Sequence, residues 1–541
     1  MSASAPPVGV LQALSAQAQR RPQATALVWG DQRFSYSALM QHSCALAAAL
    51  QAQGLRAGDR VLISLNDGAQ AVFGLLGTLM IGAVASPLSP HAPAARLRDS
   101  LDDLQARALL IAQDDARLST LDMDHTDGLR VMRLMPGAAC QAGDTLASTA
   151  NASDQPVPAA RSESAWVPPS AEALALIIPT SGSRARPKGV MLSHANLAAT
   201  VAMIQPFLAL DERDTVLSAL PLSHTYGLYQ IFLALGQGAT LMLEPGVSLA
   251  VPLLQRLQAT GATVLPATPT LLALLLSVRD PGAFALPALR LVTSAADALP
   301  PARVAQWQAT WPQARLLSMY GQTECGRASI LPADALAQRP HSVGRGLPGS
   351  ELWLVDDQGR RLPPGEAEGE LVVSGPHVMQ GYWRRPEETA LALRPHPDQP
   401  GQRVLHTGDL FRRDAEGWLS FVARRDDLIK SGGERISPQA LQAILLQAPG
   451  VADAAVLGQP DARLGQAVHA WLVARPGASA DARAVMAHCR QQLEPAQCPR
   501  ALHWCAELPR NETGKLDLPR LRAMAAAQSP PNPPNRPSAP G

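Results

Sequence analysis

An α/β fold is the prediction for this 541-residue chain, and three observations make it. The length exceeds what one hydrophobic core serves, so two or more domains are expected. Short apolar runs alternate with helix-like segments over most of the chain, the rhythm of strands in largely parallel pairing. Between residues 343 and 421 that rhythm gives way to short strands divided by Gly and Pro, which marks a small antiparallel β subdomain. The expected architecture is a large N-terminal domain of α/β subdomains plus a small β subdomain, followed by an α+β C-terminal domain.

The elements can be justified in order. Strands are expected at 26–28, 61–64 and 109–112, with a helix that starts at Tyr36 and stays Ala/Leu-rich until Gly54. Residues 71–88 are uncharged and apolar enough to suggest a membrane span. They contain Gly74, Gly77, Gly82 and Pro87 and lack flanking Lys/Arg or Trp/Tyr anchors. A buried helix running into a strand is expected there, and no transmembrane segment. Residues 113–169 lose periodicity and gain Asp, Ser and Pro, as a surface excursion or a link between subdomains does. The alternation resumes from 174 to 317, with strands at 174–178, 239–243 and 263–265. Further strands are expected at 352–355 and 370–373, and in the last unit at 454–457 and 468–473.

Composition excludes several classes of function. The net charge is +1, and basic residues never run beyond pairs such as Arg412-Arg413. Nothing resembles a nucleic-acid footprint or a polybasic membrane segment. The six cysteines are sparse and show no CxxC spacing, so structural zinc is not expected. Reduced thiols and an N-terminus without an apolar leader suit a cytoplasmic protein.

The basic residues are unusual in kind. Only three are lysines, Lys188, Lys430 and Lys515, and the other 43 of 46 are arginine. A compact ammonium is hard to replace where a flexible cation must reach one oxygen, whereas guanidinium is a planar fork. Lys188 closes the loop Thr180-Ser181-Gly182-Ser183-Arg184-Ala185-Arg186-Pro187-Lys188, which follows an apolar strand. Hydroxyls, backbone N–H groups and an ammonium in that order suit polyphosphate oxygens. It is not a Walker A loop, because Gly189 follows the lysine instead of Ser/Thr.

This loop and five further segments, in order along the chain, resemble the adenylate-forming superfamily, specifically its acyl-CoA synthetase branch of acid–thiol ligases. The others are 221–227 with His224, then Tyr320-Gly321-Gln322-Thr323-Glu324, and Gly381-Tyr382-Trp383 with Thr407-Gly408-Asp409 on the approach to a ribose. Residues 424–438 resemble the hinge, and 509–515 the C-terminal lysine motif. The resemblance implies an N-terminal AMP-binding domain over 8–425 and a mobile C-terminal domain over 427–525. The Pro-rich end, 526–541, is expected to be disordered.

The resemblance also implies roles. ATP phosphates fall to Thr180, Ser181, Gly182, Ser183 and Lys188, and adenine to Tyr320, with Gly321, Ser294, Ala295 and Ala296 also among the cofactor-binding residues. Asp409 and Arg424 take the ribose, Thr323 an α-phosphate oxygen, and Glu324 a magnesium ion, a hard cation suited to carboxylate and phosphate oxygens. Lys515 neutralises charge as a carboxylate attacks the α-phosphate. Asp426 is the pivot, Gly433 lines the thiol tunnel, and His224 gates an apolar acyl slot of Tyr226, Gly227, Leu228, Thr293, Ser294, Ala295 and Ala296. Lys430 is typical of the hinge segment or simply exposed.

The activity implied is ATP-dependent conversion of a small-molecule carboxylic acid to an acyl-adenylate, with transfer to the thiol of coenzyme A. An acyl carrier protein's phosphopantetheine is the alternative acceptor, and a non-catalytic acyl-nucleotide-binding homologue the alternative in class. Residues 221–243 and 259–279 contain no Asp or Glu, where amino-acid-activating relatives place an Asp for the substrate's ammonium. An acyl or aryl acid is therefore expected. Arg184-Ala185 replaces the usual Thr-Gly, and loss of Gly removes easy access to positive φ.

Overall fold

The computed structural model describes residues 8–65, 68–120, 129–134, 168–180, 188–246, 249–297, 299–431, 434–461, 463–475, 477, 481–494, 497–511 and 515–528. The chain divides into two compact units, Met1–Phe421 and Val422–Gly541.

In the first unit the apolar runs pair as expected. One sheet has the order Gly381–Tyr382, Lys188–Ser193, Leu174–Thr180, Val84–Pro87, Arg60–Ser64, Ala108–Ala112 and Arg130–Leu134. Its inner strands are parallel, and Leu174–Thr180 turns back antiparallel into Lys188–Ser193. The uncharged segment is the buried helix Ala69–Met80 followed by the strand Val84–Pro87. Among the described residues no helix is long and apolar enough to cross a membrane.

The second sheet has the order Arg345–Gly346, Ser329–Leu331, Arg315–Tyr320, Leu291–Ser294, Val264–Ala267, Thr215–Ser218, Thr240–Leu243, Thr25–Trp29 and Gln32–Ser35. From Arg315–Tyr320 to Thr25–Trp29 the pairing is parallel. Register places Ala267 opposite Ser294 and Ser294 opposite Ser318. The loops after these three strands therefore leave from one carboxyl edge, where open parallel sheets bind ligands. Glu351–Val355, Ala367–Ser374, Arg403–Arg413 and Leu393–Pro395 make the antiparallel subdomain.

In the second unit Val451–Asp461 pairs antiparallel with Gly465–Ala474, and Ala501–Cys505 adds to the latter in parallel. Helices Pro438–Leu445 and Ala482–Gln492 contribute Leu441, Leu445, Val485 and Cys489 to its core. Ser437 caps the first of these helices, accepting from Ala440 N–H at 3.2 Å while donating to Val422 O at 2.7 Å.

Two expectations need correction. The stretch read as aperiodic contains the strand Arg130–Leu134, parallel to Ala108–Ala112, with Val131, Met132 and Leu134 buried. Its Arg residues mask an edge strand's apolar run. The last helix, Leu518–Gln528, enters the segment expected to be disordered, because Leu521 and Ala525 bury against Trp471 and Leu508.

Candidate active site

The site begins with two dihedral and steric requirements. Gly408 has φ +70°, which a side chain would strain, and it turns the strand so that Asp409 faces inward at 3% exposure. A Cβ on Gly321 would lie 2.2 Å from Gly326 O, so the loop after Arg315–Tyr320 closes tightly only with glycine there.

That closure gathers three side chains. Tyr320 Oη and Gln322 Nε2 both donate to Asp409 Oδ2 at 2.7 Å, and Gln322 Nε2 also donates to Thr407 O at 3.0 Å. Below, Gly408 N–H donates to Glu370 Oε1 at 3.0 Å, and Asp409 N–H to Thr407 Oγ1 at 3.1 Å. Burial first, and the Asp409 carboxylate second, hold the Tyr320 phenol well above its usual pKa, so it remains a donor. Phe411 packs edge-on against the Tyr320 ring at 4.7 Å. A carboxylate so fixed can accept from vicinal hydroxyls beside an aromatic face.

A second group forms around Tyr382. Its hydroxyl donates to Glu324 Oε1 at 2.9 Å, and Lys188 Nζ lies 4.8 Å from its ring centroid. Lys188 begins its strand opposite Thr180, whose Oγ1 donates to Lys188 O at 3.3 Å. Met379 N–H holds Glu324 O at 2.8 Å. The half-buried Thr323 lies between this group and the Tyr320 corner along the chain. The fold thus gathers a carboxylate, a hydroxyl and an ammonium, a set that suits a hard divalent cation together with phosphate oxygens. Ser181, Gly182, Ser183 and the Arg184-Ala185 departure lie outside the described residues.

The acyl side is built from helix Thr225–Leu235, entered through the half-buried N-cap residue His224. Tyr226 shares a 2.7 Å hydrogen bond with Thr293 Oγ1 and donates to Ala267 O at 3.3 Å, tying the helix to two strand ends. Ser294 is 2% exposed and its Oγ has no hydrogen-bond partner among the described residues, while Ala295 is buried and Ala296 adopts φ +85°. A non-glycine residue held at positive φ is a local strain of the kind found at ligand clamps. The expected apolar character is only partly right, because the buried Arg327 guanidinium lies 4.4 Å over the Tyr226 ring.

The remaining predicted residues belong to the second unit. Arg424 and Asp426 are exposed, as is Lys430, and Asp427 makes a 3.5 Å ion pair with Arg522. Lys515 is half-buried. Its N–H donates to Asn511 Oδ1 at 3.0 Å, and its carbonyl accepts from Asn511 N–H at 2.8 Å. Gly433 lies outside the described residues. Gln322, Tyr382 and Arg327 were not singled out as site residues from the sequence. The first is an unremarked member of its motif, and the second belongs to a motif assigned to the ribose approach.

The AMP-binding enzyme family model matches residues 14–383, and the AMP-binding enzyme C-terminal domain model matches 440–515. The chain belongs to the AMP-binding enzyme family. It is 32% identical to a sulfoacetate–CoA ligase of Cupriavidus necator over 89% of this chain and 91% of that protein. It is 34% identical to the AMB antimetabolite synthetase AmbB of Pseudomonas aeruginosa over 97% of this chain, spanning only 40% of that longer protein. The structure of ATP-bound MatB from Rhodopseudomonas palustris superposes with a TM-score of 0.82 at 26% identity, covering 96% of this chain and 99% of that one. The mixed α/β architecture, with a large first unit and a smaller second one, is that of these adenylate-forming ligases.

Proposed function

We propose that this enzyme is an AMP-forming acid–thiol ligase, and the observation that carries the reading is the Tyr320–Gln322–Asp409 corner beside Glu324, Tyr382 and Lys188. A carboxylate oxygen of the acid attacks the α-phosphorus of ATP, and pyrophosphate leaves. A thiolate then attacks the acyl carbon, the bond to the phosphate oxygen breaks, and AMP departs. Asp409 and Tyr320 orient the nucleoside, and Arg424 adds a donor to the ribose. Thr180, Ser181, Gly182, Ser183 and Lys188 bind phosphates, and Thr323 steadies an α-phosphate oxygen. Glu324 would hold a magnesium ion, which supplies charge neutralisation on the phosphates when bound. Lys515 offsets charge that develops during adenylation. Asp426 is the pivot about which the second unit changes role between half-reactions, with Gly433 on the thiol's path. A cytoplasmic setting suits these substrates.

Coenzyme A is the acceptor that the similarity to a CoA ligase favours. The similarity to AmbB supports a second reading, a carrier protein's phosphopantetheine. Pyrophosphate release with ATP and a panel of acids, followed by coenzyme A or a carrier protein bearing phosphopantetheine, tests both. Acid-dependent release and then a thioester are expected. Intact ATP binding with silence across the panel would instead favour a non-catalytic binding protein.

A further inference from the structure

Arg327 is a charge that the proposed mechanism leaves unused. It is 7% exposed, and Nη1 donates to Gly326 O at 2.8 Å. The guanidinium faces the Tyr226 ring, and among the described residues Nε and Nη2 make no hydrogen bond and no carboxylate pairs with it. The ionisable groups around it are Tyr226, Tyr229 and Cys325, all neutral acids whose pKa values burial raises. Burial also pulls the arginine's own pKa down, yet a guanidinium stays charged in proteins. A buried cation without an anion is strongly destabilising, so its retention asks for a partner from outside the chain.

The place where that partner would sit is visible. Arg327 lines a recess with Tyr226, Gln230 and Thr293 and with the apolar Ile204, Leu208 and Leu233, on the acyl side of the site. None of Tyr320, Asp409, Glu324 or Lys188 lines it, so the recess is not the phosphate cradle. Its open space is about 10 Å³, room for roughly one water centre, so the end group of any acid enters it only with repacking of these side chains.

Resting on the acid-activating reading above, we propose that Arg327 receives a second anionic group of the substrate. The acid is then one whose far end bears a carboxylate or a sulfonate, not an alkyl or aryl acid. The planar fork suits either anion through paired N–H donors. A neutral acid of the same length would leave the guanidinium desolvated and unpaired, which is how a buried polar group rejects an analogue lacking its partner.

Calorimetric titration of the full-length protein with succinate, 3-sulfopropanoate and butanoate tests this without requiring turnover. At least one of the two dianionic acids should bind the unaltered protein at least roughly tenfold tighter than butanoate. Arg327→Met should erase that preference, and Arg327→Lys, which keeps a charge, should restore part of it. Butanoate binding as tightly as both dianions, no binding by any of the three, or an unchanged preference in Arg327→Met would overturn the inference. Pyrophosphate release separates the two levels of the reading. Dianion binding through Arg327 without any release supports the inference and sinks the ligase activity, whereas release with butanoate alone sinks the inference and keeps the ligase.

Discussion

The nucleotide corner and the lysine-bearing second unit are built in opposite ways. Asp409 is 3% exposed and accepts two 2.7 Å hydrogen bonds on one oxygen, from residues fixed at the end of a parallel strand. Arg424, Asp426 and Lys430 are exposed, and Lys515 sits in a short turn closed by Asn511. One region is organised before any ligand arrives. The other presents its charges outward on short strands and turns. On the proposed reading, recognition falls chiefly to the first unit and the change between half-reactions to the second.

The largest effect that would sharpen this contrast is loss of the lysine. Lys515→Ala should slow adenylate formation on the order of 10²–10³-fold while sparing thioester formation from supplied acyl-adenylate. Equal loss in both half-reactions, measured separately by rapid quench, would erase the division of labour. Tyr320→Phe removes a hydrogen bond to a charged acceptor, and an increase in the ATP KM of roughly ten- to a hundredfold is expected from steady-state kinetics. An unchanged KM would mean that the corner is not the nucleoside site. Asp426→Pro should impair one half-reaction several-fold more than the other, since restricting φ at a pivot favours one conformer.

The smallest expected effect concerns stability. His377 is 1% exposed, neither ring nitrogen is hydrogen-bonded among the described residues, and burial lowers its pKa to about 4, as it does for His194. The unfolded histidines bind protons near pH 6.5, so stability is fully present above that pH and is lost as pH falls toward 4. Each contributes up to about 2 kcal/mol of loss between pH 6.5 and 5. His377→Leu should flatten the pH dependence of the urea midpoint, and an unaltered slope would remove this histidine from the account.

Much of the site was legible because its chemistry demands particular residue types in short segments. Tyr320 and Asp409 meet in the folded chain, and Glu324 and Lys188 both meet Tyr382, while the roles proposed for them and for Lys515 rest on residue type in those segments. Tyr382 was legible as a motif member, but its partner Glu324 lies 58 residues away and only the folded chain joins them. Arg327 was invisible for the opposite reason. An arginine in sequence reads as a solvated surface residue, and its burial depends on how helix Thr225–Leu235 packs over the strand ends. The strand Arg130–Leu134 escaped notice because its terminal and penultimate arginines interrupt the apolar run that its sheet partner makes useful.

The most direct test of the central claim follows the carboxylate oxygens. With an accepted acid labelled with ¹⁸O in its carboxylate, attack on the α-phosphorus leaves one labelled oxygen bridging acyl group and AMP. Thiol attack on the acyl carbon then releases that oxygen with AMP. Mass spectrometry of the products should find one ¹⁸O in AMP and none in pyrophosphate. Label appearing in inorganic phosphate with ADP, or thioester formed with unlabelled AMP, would contradict an acyl-adenylate route.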